Sequence, residues 1–120
     1  MSLDEIDRLR HMRDAATAAV NFAAGKGRVD LDNDLMLQFA IVRAIEIIGE
    51  AAARLADATR DAHPEIPWSN MIGMRNRLAH GYFDVDLDIV WRTVEVHLGP
   101  LVAALDALIA ASANPSNSAP

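Results

Sequence analysis

The chain has 120 residues, with 11 basic and 17 acidic side chains and a formal net charge of −6. That length predicts one domain with a core that needs no covalent staples. The absence of cysteine excludes disulfides, thiol catalysis and cysteine-based metal centres. The acidic balance argues against loose, charge-driven attachment to nucleic acid or an anionic membrane, but is compatible with RNA held in a small, locally positive cleft.

Hydrophobic residues make up 52% of the chain and aromatics only 5%. They are mostly Ala, Leu, Ile and Val, without alternating Val/Thr/Tyr runs, so the expected fold is all-α. No apolar run reads as long enough to cross a membrane. The start, Met1-Ser2-Leu3-Asp4-Glu5, is acidic and lacks an apolar signal region. A cytoplasmic protein is expected.

The first helix is predicted from about Asp4 to Ala24, burying Ile6, Leu9, Met12, Ala16, Val20 and Ala23 and stopped by Gly25-Lys26-Gly27. The second begins at an N-cap on Asp32 or Asn33 and extends towards Asp61. Its polar residues Arg43, Glu46, Glu50, Arg54 and Asp57 fall in one narrow arc. The rest, including Leu35, Phe39, Ile41, Val42, Ile45 and Ile48, is apolar. An apolar arc this wide exceeds what one bundle covers, and burial against a second subunit is the simplest use for the surplus.

His63-Pro64-Glu65-Ile66-Pro67 reads as a proline-bounded connector, and a short third helix follows from Trp68 to His80. The last helix starts near Asp86 and carries Ile89, Val90, Val94, Leu98, Leu101, Leu105 and Leu108; Pro100 inside it predicts a kink. Ser112 to Pro120 shows no apolar periodicity. The expected organisation is a helical domain over residues 1–111 and a disordered tail over 112–120.

The third helix holds the most informative stretch. Counting from Trp68, the apolar residues Trp68, Met71, Ile72, Leu78 and Ala79 fall at offsets 0, 3, 4, 10 and 11, and offset 7 is Arg75. Unpaired buried charge is very costly. Arg75 therefore snorkels outward, pairs with an inward-facing acid such as Glu46 or Glu50, or lines a cleft that receives an anion. His80 lies four residues beyond Asn76, on the same helical side, with Gly81 as a plausible stop. Taken alone, His80 reads as a helix-end histidine satisfying a carbonyl, and Tyr82 as a half-buried residue with a wet hydroxyl.

Taken together, Gly73-Met74-Arg75-Asn76-Arg77-Leu78-Ala79-His80-Gly81-Tyr82-Phe83 resembles the HEPN superfamily, and within it the HepT-type toxins. Ala44 to Ala52, His63 to Trp68 and Asp86 to Trp91 are similar to that family as well, in the right order, so the resemblance covers roughly residues 4 to 108. Alanine before His80 replaces a larger aliphatic residue and leaves the polar set intact. The resemblance implies an up-and-down four-helix bundle that forms a homodimer with its two motifs facing each other. It also implies a metal-independent ribonuclease, the toxin of a toxin–antitoxin pair, whose partner is a minimal nucleotidyltransferase that adds AMP to the motif tyrosine. Carried over by position, Arg75 and His80 are catalytic, Asn76 is a polar helper and Tyr82 is the modified residue. RNA is the implied substrate; DNA and membranes are not expected partners. The rival reading is a non-catalytic nucleotide-binding or adaptor subunit of the nucleotidyltransferase.

The chemistry is consistent with that set. RNA carries its own nucleophile, the 2′-hydroxyl, so cleavage requires a proton-transfer group and a cation for the developing phosphorane charge. Histidine, with an ordinary pKa of about 6.5, suits the first role. The arginine fork suits the second. No cofactor is expected and no metal site: His11, His63, His80 and His97 lack ligand spacing, and Asp84, Asp86 and Asp88 lack the glycine and distal glutamate of a calcium loop. Lys26 between two glycines lacks the remainder of a phosphate loop.

Overall fold

A computed structural model describes residues 1–80 and 85–113, apart from the side chains of His80 and Ala113. Every described element is helical. The helices are α1 (Leu3–Ala23), α2 (Arg28–Asn33), α3 (Leu35–Ala53), α4 (Asp57–Ala62), α5 (Trp68–His80), α6 (Leu87–Arg92) and α7 (Gly99–Ala113), with a π-helical segment over Thr93–Leu98 joining the last two. The four long helical segments form the expected all-α bundle, and α2 and α4 are short turns at its corners.

Local chemistry places the ends. Ser2 caps α1 by accepting the Glu5 N–H at 3.1 Å. Gly25, at φ 74°, supplies the left-handed turn that ends the helix. Asp34, rather than Asp32 or Asn33, caps α3 by accepting the Leu37 N–H at 3.1 Å. Arg28–Asn33 instead forms its own turn, held by the Gly27 N–H donating to Asp30 Oδ2 at 2.7 Å. The second helix also stops earlier than its periodicity suggests, at Ala53, and α4 restarts at Asp57. Asp86 caps α6 as expected, accepting from the N–H groups of Asp88 and Ile89.

In the core, α1 contributes Ile6, Leu9, Met12, Ala15, Ala16 and Ala19, while Val20 and Ala23 are only partly buried. This face meets α3 on one side and the last helix on the other. Helix α5 packs chiefly against α3, and buries Trp68, Met74 and Leu78. Ala79, expected in the stripe, is exposed. The seam between α5 and the last helix stays open as a cleft of about 380 Å³.

The helix over Leu87–Ser112 is continuous, and Pro100 is accommodated by the preceding π turn rather than by a break. Its 26 residues, with a mean hydropathy of 1.6 in their most apolar window, are long and apolar enough to cross a membrane, which corrects the sequence expectation. The apolar run becomes this long only when the segments on either side of Gly99-Pro100 join. Here the helix buries Val90, Trp91, Val94, Leu98, Leu101, Leu105, Leu108 and Ile109 within the bundle. Ser112 and Ala113 belong to it, so the helix outlasts residue 111; residues 114–120 lie outside the described set.

Candidate active site

The start of α5 is fixed by Trp68, whose indole N–H donates to the carbonyls of His63 at 2.9 Å and Arg60 at 3.1 Å. That anchors the connector of residues 63–67 and sets the register of the motif helix. One and two turns further along, Met71 and Arg75 lie against Gly49 of α3. A Cβ on Gly49 would fall 2.2 Å from the Arg75 Cβ and 2.7 Å from the Met71 carbonyl oxygen. The two backbones approach closely because position 49 has no side chain.

This contact explains how arginine occupies a core-facing position. The stem of Arg75 packs on the glycine while its head reaches outward, the snorkelling available to a long cationic side chain. Arg75 Nη1 donates to Asn76 Oδ1 at 3.0 Å. Its Nε is buried without any hydrogen-bond partner among the described residues. Neither suggested acid pairs with it: Glu46 and Glu50 both face Arg43, at 3.4 and 3.1 Å. Leaving a buried donor unpaired costs about 1–3 kcal/mol, and such groups call for an explanation.

Of the sequence-derived set, Arg75 and Asn76 are brought together. His80 is placed by its backbone as the last residue of α5, one turn beyond Asn76, and Tyr82 lies outside the described residues. Arg77 is exposed and has no ion-pair partner among the described residues. It borders the cleft between α5 and the last helix, together with Asn70, Met71, Met74, Thr93 and His97. A second, more open cleft of about 770 Å³ runs along the other flank of α5 from Asp57 and Asp61 to Asn76. Neither cleft is lined by Arg75. No group of three or more His, Asp or Glu side chains among the described residues is arranged to hold a metal ion.

The Ribonuclease HepT-like family matches residues 4–108. The chain belongs to the HepT-like ribonuclease family. It is 43% identical over 75 residues to a protein of Thermococcus cleftensis named "Probable ribonuclease HepT", covering 62% of this chain and 68% of that relative. A "Putative RNase" of Methanocaldococcus jannaschii is 31% identical over 103 residues, 86% of this chain and 82% of the relative. A "Putative RNase" of Caldanaerobacter subterraneus is 36% identical over 86 residues, 72% and 77% respectively. No solved structure matches the chain.

Gly49, which permits the close approach of α3 and α5, is a residue that the sequence pattern did not single out. Its signal was a lone glycine inside an otherwise strongly apolar helix, where it costs about 1 kcal/mol relative to alanine and implies a packing reason.

Proposed function

We propose that this HepT-like chain is the toxin of a toxin–antitoxin pair, a cytoplasmic endoribonuclease that cleaves RNA without a metal through Arg75 and His80 at a homodimer cleft. The observation that carries the reading is the state of Arg75: stem pinned on Gly49, head oriented by Asn76, and a buried Nε donor without a partner. A structural arginine would be expected to hold an acid; this one leaves donor capacity for a phosphate oxygen.

In the proposed reaction, one His80 takes the proton of the 2′-hydroxyl as its oxygen attacks phosphorus. The 5′-oxygen leaves with a proton from the partner subunit's His80, giving a 2′,3′-cyclic phosphate and a 5′-hydroxyl. Arg75 stabilises the extra charge on the phosphorane. Dimerisation is supported by exposed apolar residues at the start of α3, where Leu35, Met36 and Phe39 are 60%, 82% and 66% exposed in the single chain. Control by a minimal nucleotidyltransferase, through AMP attached to Tyr82, completes the proposal.

Induced expression without a partner tests it. Wild type should arrest growth, and the purified chain should cleave RNA in EDTA. His80→Ala should do neither while keeping its helical spectrum. An arrest that persists in the His80 variant would point instead to an adaptor that acts by binding.

A further inference from the structure

The cleft between α5 and the last helix has a composition that the chain's overall charge does not predict. On a protein of net charge −6, the other described clefts each carry a carboxylate: Asp57 and Asp61 in one, Glu46 in the second, Asp86 in the third. The lining of this cleft includes no acid and includes the exposed Arg77. Like Met74, Arg77 also borders the adjoining cleft that holds Asp86, and Asn70 is shared with the cleft that holds Asp57 and Asp61. Met71, Met74, Asn70 and Thr93 line this cleft as well, with His97 and a set of aliphatic residues. The cleft also borders the helix that carries the motif, and Arg77 precedes His80 on it by three residues.

We propose that this cleft is a base-recognition subsite, taking one unpaired base of single-stranded RNA next to the cleaved phosphate. The idea rests on the ribonuclease reading and adds to it the source of nucleotide preference. Five of the lining residues match parts of a nucleotide. Polarisable sulfur packs favourably on a planar aromatic ring, which suits Met71 and Met74 to the face of a base. The Asn70 side chain offers both a donor and an acceptor to a base edge. It is exposed and makes no side-chain hydrogen bond among the described residues. Thr93 donates its hydroxyl proton to the Ile89 carbonyl at 2.8 Å, so its oxygen is fixed as an acceptor for a base N–H. Arg77 supplies the charge for the attached phosphate. A volume of about 380 Å³ lies within the range of small-molecule pockets and accommodates a base with its sugar. Thr93 is the first residue of the π-helical segment and lines the cleft; such turns often mark functional positions.

The test is cleavage of a single-stranded RNA pool with randomised positions, with the cut sites sequenced. Wild type should prefer one base, or one class of base, at a position flanking the cut. Asn70→Ala should reduce that preference at least about fivefold, the size of a lost base-edge contact. Arg77→Ala should raise KM with a much smaller change in kcat. Thr93→Phe, which fills the cleft, should do both, and circular dichroism would show whether its helix survives; Asn70→Ala alters only an exposed side chain and decides the matter if it does not. Labelled single-stranded RNA binding to the His80→Ala protein gives a readout independent of catalysis. If wild type cleaves and the Asn70 and Arg77 variants keep the same preference and KM, the subsite is wrong and the ribonuclease reading stands. If wild type does not cleave but RNA binding weakens in the cleft variants, the subsite stands and the ribonuclease reading falls. Binding that none of these substitutions alters would overturn the subsite.

Discussion

Gly49 of α3 and Arg75 of α5 meet with no space for a side chain between them: a Cβ at position 49 would lie 2.2 Å from the Arg75 Cβ. The obstructing atoms are the root of a side chain and a backbone carbonyl, neither of which can swing aside, so Gly49→Ala must push α5 away from α3. Two effects oppose each other. Alanine favours the helix by about 1 kcal/mol, and overpacking costs about 1–3 kcal/mol. The net destabilisation is therefore at most modest, about 2 kcal/mol, while the displacement acts fully on the arginine. A misplacement of about 1 Å can cost a hundredfold in rate. We expect Gly49→Ala to lower Tm slightly and ribonuclease activity by about a hundredfold. A variant with wild-type kcat/KM would show that the close approach does not position the site.

Arg75 gives the complementary case, in which stability and activity separate. Its Nε is buried without a partner, an expense that an apolar side chain of similar length avoids. Arg75→Met keeps the stem that packs on Gly49 and removes the orphaned donor. It should leave Tm unchanged or raise stability by up to about 1 kcal/mol, while cleavage falls by about a hundred- to a thousandfold, as for a lost transition-state donor. Such opposition is usual where a functional group is kept against stability. Thermal unfolding and single-turnover cleavage measure both; strong destabilisation of the Arg75→Met variant would mark Arg75 as a structural residue.

The exposed residues at the start of α3 carry the assembly prediction. Phe39 lies one turn beyond Leu35 and Met36, and all three are exposed among the described residues. Phe39→Glu leaves the buried side of α3, Leu37, Ile41 and Ile45, untouched. Wild type should scatter light as a dimer at micromolar concentration. The variant should be a folded monomer with little cleavage, since the proposed mechanism brings two motifs to one cleft. Full activity in a monomer would end the two-subunit mechanism.

Most of the fold was legible because it follows from periodicity and punctuation. Helix α5 runs from Trp68 to His80 as predicted, since a proline and a tryptophan define its start. The errors concern features that depend on tertiary contact. The periodicity of the second helix predicts continuation towards Asp61, but Arg54, Leu55 and Ala56 turn, and α4 restarts under a cap supplied by Glu5 from another helix. The site shows the same division. Arg75 stood out as a charge at an apolar offset, but its detachment from Glu46 and Glu50 depends on Arg43 taking both acids, and its position depends on Gly49. Neither relation leaves a periodic mark in the sequence.

That Glu5 contact makes a prediction about pH. The Glu5 carboxylate accepts from the Thr59 hydroxyl at 2.7 Å and the Ala56 N–H at 3.1 Å. The Thr59 hydrogen bond first, then the backbone bond from Ala56, hold its pKa below the ordinary glutamate value. A carboxylate whose folded pKa is depressed stabilises the fold above its unfolded pKa, about 4.3. That stability is lost as pH falls through this value and then through the lower folded one. Urea midpoints across acid pH should therefore fall more steeply for wild type than for Glu5→Gln, with the two curves converging at the acid end. The site is solvent-accessible, so the effect is small. Parallel curves would show that this cap does not link the two helices energetically.

Tyr82 supplies the prediction about control. It follows His80 by two residues in the sequence, and in the proposed scheme it is the residue that receives AMP. AMP attached there adds bulk and a phosphate that is negative at neutral pH. That phosphate can take the donor capacity that Arg75 leaves unused and repel incoming RNA, blocking binding and chemistry together. Phenylalanine removes the acceptor hydroxyl and none of the proposed catalytic groups. Tyr82→Phe should remain an active ribonuclease and stay toxic when the nucleotidyltransferase is co-expressed. Intact-mass measurement should find AMP additions on wild type and none on the variant. A Tyr82→Phe protein that is still modified and silenced would move the switch to another residue.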